Sequence, residues 1–109
     1  MSKTVGYGED YMKVTIEKNG SNLEVFVSGR LDTTTAPELE KTLTAEIEGV
    51  ESLVLDFAEL EYISSAGLRV LLGAQKTMNR QGEMKVRGVN EDIMEIFDIT
   101  GFADILTIE

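Results

Sequence analysis

Two adjacent serines, Ser64 and Ser65 in the stretch EYISSAGLRVLL, are the side chains of this 109-residue chain best placed for chemistry. They stand where an extended segment hands over to an apolar helical run. A serine there has two uses: its oxygen can accept a hydrogen bond from an unpaired first-turn N–H, or its hydroxyl can act as a nucleophile. One serine suffices for the cap. A nucleophilic serine needs a base, and the chain contains no histidine and no cysteine. Serine triads, cysteine dyads and thiolate zinc sites are thereby excluded. Aspartate and glutamate number 20, yet no spacing among them singles out a catalytic pair, so their simplest role is a solvated face. The GYG near the N-terminus is too little for a phosphate-cradling loop. No enzyme and no cofactor of the chain's own are expected. The two serines are then a cap and a solvated hydroxyl, or one of them is a hydroxyl that another protein modifies.

Phosphorylation fits that position. A phosphoserine adds about −1.5 to −2 charges. At a helix N-terminus the added charge meets outward-pointing N–H groups and the positive end of the macrodipole. Arg69 follows Ser65 by four residues, one helical turn on. At ~100° per residue, Gly67, Leu71, Ala74 and Met78 share one side of the helix with Val70 nearby, and Arg69, Gly73, Lys76 and Arg80 share the other. Leu68 and Leu72 lie at the margin. They are either covered by neighbouring helices or the apolar centre of a docking surface. A dianion on Ser65 would sit inside any such surface.

The elements that position these residues are legible from periodicity. YMKVTIEK and LEVFVSG alternate apolar and polar residues, with Met12, Val14 and Ile16 on one side of the first, and NGSN between them supplies turn residues. They predict an antiparallel hairpin. A loop and a helix follow, with Thr35 and Glu38 in the form of a capping box, Pro37 in the first turn, Leu39, Leu43 and Ile47 on one face and Gly49 as the stop. SLVLDFA reads as a strand covered on both faces. A helix over Ser64–Arg80 and a strand at EMKVRG complete a βαβ crossover with parallel strands. Asn90 caps a last helix carrying Ile93, Ile96 and Phe97 and ended by Thr100-Gly101, and DILTI predicts a closing strand.

The formal net charge of −10 argues against DNA or RNA as a direct ligand, because phosphate neutralisation drives that binding. A protein partner with basic patches is the expected counterpart. No apolar run approaches the ~18 residues of a membrane span, and the first ten residues lack a secretory apolar segment. A cytoplasmic protein without membrane contact is expected, with residues 1–10 as a flexible N-terminal tail and residues 11–109 as one domain.

The segments GRLDTTTAPELEKTL, LVLDFAELEYISSAGLRVLLGA, QGEMKVRGVN and IFDITGFADIL together resemble a STAS domain, specifically a bacterial anti-sigma factor antagonist, from Met12 to Ile108. The implied fold is α/β: a mixed sheet with an antiparallel edge hairpin, parallel central strands and helices packed mainly on one face. In the family motif Asp-Ser-Ser/Thr-Gly-Leu, the serine after the aspartate is the phosphoacceptor. Aligning Gly67-Leu68 with its Gly-Leu puts Ser65 on the acceptor, Ser64 on the aspartate position and Ala66 on the second hydroxyl. The loop holding Asp32 and Thr33 is implied to lie beside the acceptor; read from its own residues, Asp32 is a turn-stabilising aspartate.

The implied partner-binding set is Asp32, Thr33, Ser64, Ser65, Leu68, Arg69 and Leu72. The implied partners are an anti-sigma factor of the serine-kinase type, which carries the ATP and magnesium, and a serine phosphatase acting on phosphorylated Ser65. The alternatives are a STAS adaptor in a signalling or transport assembly that is never phosphorylated, and a small-ligand module, for which no residue pattern speaks.

Overall fold

The computed structural model describes the backbone of residues 2–8 and the whole of residues 12–109. A six-stranded sheet runs in the order β1 (Ser2–Gly8), β2 (Met12–Asn19), β3 (Asn22–Leu31), β4 (Ser52–Asp56), β6 (Glu83–Arg87), with β5 (Leu60–Ile63) pairing with β3 beside this path. The expected hairpin is β2 and β3, antiparallel in an unbroken register from Met12↔Gly29 to Asn19↔Asn22, and Gly20 takes the left-handed conformation its turn requires. Tyr11, expected at the start of this strand, lies outside the described residues. Strand β4 pairs with β3 in parallel and β6 with β4 in parallel, as the βαβ reading requires.

Three helices, α1 (Ala36–Glu46), α2 (Ser65–Gln81) and α3 (Glu91–Thr100), pack on one face of this sheet. In β2, β3, β4 and β6 the positions alternate: Val14, Val25, Leu53, Leu55 and Val86 are sealed beneath the helices, while Thr15, Glu24, Val54, Asp56 and Arg87 lie on the open face. On that open face the Arg87 guanidinium ties Asp56 (Nε to Oδ2, 2.9 Å) to Glu24, bracing β6, β4 and β3. The mixed α/β sheet with helices on one face is the fold the family resemblance implies.

Four local expectations are corrected and one strand is added. Residues 2–8 do not form a loose tail. They pair antiparallel with β2, covering an edge whose backbone N–H and C=O groups would otherwise go unpaired. Strand β4 is covered on one face only: Leu53 and Leu55 are buried, while Ser52, Val54 and Asp56 stay partly exposed. DILTI forms no strand: a single 3-10 turn at Phe102–Asp104 leads to one bridge, Ile108 beside Val86. Strand β5 is the addition: its four residues carry no apolar–polar alternation, since Leu60 and Ile63 are both buried. The Thr35–Glu38 capping box is not made. Thr35 is fully buried, and its Oγ1 accepts from Asp32 N–H (2.8 Å) and donates to the Arg30 carbonyl (2.7 Å), tying the helix entry back to β3.

Candidate phosphorylation and docking site

The site is built by the split pairing of β3. Its first half, Asn22–Phe26, pairs with β4, and its second half, Gly29–Leu31, pairs with β5. Leu31 sits beside Ile63, and the Ser64 N–H donates to the Leu31 carbonyl at 2.9 Å. The GRLD segment therefore ends next to the start of α2, and sequence positions more than thirty apart meet at one end of the sheet.

Asp32 closes the loop after β3. Its Oδ1 accepts from the backbone N–H groups of Thr34 and Thr35, at 3.0 Å each. The Thr35 N–H bond, followed by the Thr34 N–H, the Thr35 hydroxyl and the nearby Arg30 guanidinium, holds the Asp32 carboxyl below its ordinary range, against an opposing effect of burial. Asp32 is thus a turn-builder in this structure. Thr33, one residue on, is exposed.

The two serines divide the work. Ser64 is the N-cap of α2: it is extended (φ −100°, ψ 175°), half-buried, and its Oγ accepts from the Gly67 N–H at 3.4 Å. Ser65, the first residue of the helix, is exposed, and among the described residues its hydroxyl has no hydrogen-bond partner. No acidic residue occupies the first turn, so the positive end of the helix is not already neutralised there. Gly67 must be a glycine, because a Cβ there would lie 2.8 Å from both Ile63 Cγ1 and Leu31 Cγ. That close approach seats the start of α2 on β3 and β5.

Arg69 is exposed one turn below Ser65, and Leu72 stays half-exposed on the same side of the helix. Leu68 does not join them. It is 7% exposed and belongs to the core, because its direction on α2 turns it inward with Leu71 and Gln75. Of the residues expected to bind a partner, Asp32, Thr33, Ser64, Ser65, Arg69 and Leu72 lie around the helix start or along its outer side, and Leu68 lies in the core.

Sequence reasoning missed one feature beside the site. Arg30 and Tyr62 are register partners on β3 and β5, and the Arg30 guanidinium carbon stacks 4.3 Å from the Tyr62 ring centroid. Both are exposed. No periodicity could announce this pair, since it depends on the unread strand β5. Among the described residues there is no cluster of three or more metal-ligating side chains, and no helix is long and apolar enough to cross a membrane.

Comparison with known proteins agrees with this geometry. The STAS domain family model matches residues 13–109. The anti-sigma-B factor antagonist of Listeria monocytogenes is 33% identical over 95 residues, which cover 85% of this chain and 83% of its own. That of Bacillus subtilis is 31% identical over 98 residues, 89% of this chain and 90% of its own. The crystal structure of an anti-sigma factor antagonist from Mycobacterium paratuberculosis superimposes with a TM-score of 0.83 at 24% identity, covering 92% of this chain and 86% of that one. Matched from the hairpin to the C-terminus by the family model, and over most of their length by these relatives, this chain is a member of the STAS domain family.

Proposed function

We propose that the protein is an anti-sigma factor antagonist that works by partner switching, with Ser65 as the switch. Unphosphorylated, it binds an anti-sigma factor of the serine-kinase type in the cytoplasm, and a sigma factor is thereby released. The kinase then modifies its own inhibitor. The Ser65 Oγ attacks the γ-phosphorus of ATP held with magnesium by the kinase; the Oγ–P bond forms, the bond to the bridging oxygen breaks, ADP leaves, and the hydroxyl proton passes to the kinase or to water. The protein is substrate, not catalyst. A separate serine phosphatase restores the hydroxyl.

One observation carries this reading: the Ser65 hydroxyl is exposed at the positive end of α2 and has no hydrogen-bond partner among the described residues, while Ser64 already serves as the cap. A phosphate there is supported by first-turn N–H groups and by Arg69 one turn away, so the fold keeps its shape. The same dianion sits on the side of α2 that carries Arg69 and Leu72, where a docking protein makes contact. Local tolerance combined with external rejection is what a switch requires.

The test is phosphate incorporation by the cognate kinase with ATP and magnesium, followed by intact mass. The native protein gains one phosphate and Ser65→Ala gains none. A Ser65→Ala variant that is still modified at Ser64 overturns the site assignment.

A further inference from the structure

Helix α2 contains two glycines, and the structure accounts for only one of them. Gly67 is needed because a side chain would collide with Leu31 and Ile63. Gly73 has no such reason. It lies mid-helix, is exposed, has no positive φ, and an added Cβ would meet nothing within 4 Å. A glycine in a helix interior weakens the helix relative to alanine. Among the described residues no close contact or backbone conformation calls for a glycine there.

Gly73 also lies on a surface groove between α1 and α2. Near the switch the groove is walled by Pro37, Ala66 and Arg69, and further on by Ile47, Gly73 and Ala74. Glu40 and Val70 line both stretches, so the two are continuous. Ser65, Arg69 and Gly73 follow one another at four-residue intervals down α2, and Gly73 stands ~12 Å from Ser65 at 1.5 Å per residue. Any protein that reaches Ser65 and continues along α2 enters this groove. At its waist Glu40 is exposed and makes no ion pair among the described residues.

We infer that the α1–α2 groove receives a segment of the anti-sigma kinase, whose backbone packs against Gly73 and whose basic side chain faces Glu40. The missing Cβ lets the two backbones approach, and the apolar floor of Val70 and Ala74 excludes water beneath them. The acidic waist matches the expectation, from the net charge, that the partner is basic. This rests on the partner-switch reading and adds the second half of the docking surface, beyond the phosphate's reach.

The experiment uses the purified cognate anti-sigma kinase with the native protein, Gly73→Ala, Gly73→Gln and Glu40→Lys, measuring melting temperature and affinity on the same samples. Both glycine variants should melt higher, by about 2–6 °C for a domain of this size. Affinity should fall about tenfold for Gly73→Ala and more than about 100-fold for Gly73→Gln, and Glu40→Lys should also weaken binding, less so in high salt. Gain of stability with loss of binding is the signature of a glycine kept for a partner. A Gly73→Gln variant that binds within about twofold of native, or a glycine variant that melts below it, overturns the inference. A native protein that fails to bind the kinase at all refutes the partner-switch reading instead.

Discussion

Replacing Asp32 separates two roles that its position permits: building the loop and touching the partner. Its Oδ1 is bound by two backbone N–H groups, of which Thr35's is part-buried and Thr34's exposed. A side-chain acceptor at a helix entry contributes about 0.5–2 kcal/mol, and a buried N–H left without a partner costs about 1–3 kcal/mol. Water replaces the acceptor at Thr34 but reaches Thr35 poorly, so Asp32→Ala should lose about 1–2 kcal/mol. Asp32→Asn keeps an acceptor oxygen and should lose less than half as much. The assay is urea denaturation followed by circular dichroism, since the chain has no tryptophan.

The pH dependence carries a sign. The Asp32 carboxyl titrates lower in the folded state than its ordinary value of 3.8, so its contribution is complete above that value and is lost as pH falls through the folded-state value. The stability gap between native and Asp32→Asn should therefore be flat at neutral pH and close in strong acid. An Asp32→Ala protein as stable as native that no longer binds the kinase would refute the loop-building role and make Asp32 a contact.

Thr35→Val removes the hydroxyl that bridges Asp32 N–H and the Arg30 carbonyl while keeping the side chain's shape. It should cost about 2 kcal/mol in the same denaturation assay, far more than a surface threonine would. Ser64→Ala loses a long cap bond of 3.4 Å, so it should destabilise by less than about 1 kcal/mol. It should still gain one phosphate by intact mass, which separates cap from acceptor. Arg69→Ala should leave the unphosphorylated melting temperature within about 2 °C of native and reduce any thermal gain on phosphorylation.

The readable parts of this fold were those set by local pattern. Alternation in β2 and β3, the apolar stripe of α2, and Asn90, whose Oδ1 accepts from the Ile93 N–H at 2.9 Å, are visible because each depends on near neighbours. The misread parts depend on what lies across space. Val54 looks like core beside Leu53 and Leu55, yet α1, α2 and α3 all pack on the opposite face of the sheet. LEYI is a strand only because β3 extends past the end of β4 and offers it a partner. Thr35 carries a capping-box spacing, yet the nearby Arg30 carbonyl and Asp32 N–H take its hydroxyl. At the site, Ser65 and Arg69 followed from helical spacing and the family resemblance. For Leu68 the arc left core and docking surface both open, and the neighbouring elements place it in the core.

The account turns on whether a dianion on Ser65 is accepted by this domain and refused by its partner. Titration calorimetry of the ATP-loaded anti-sigma kinase against native and Ser65-phosphorylated protein, both checked for melting temperature, measures this directly. The expected result is a phosphorylated protein that melts no lower than native and binds at least about 100-fold more weakly, a change of about 2.7 kcal/mol. Equal affinities for the two forms, with both folded, would contradict it.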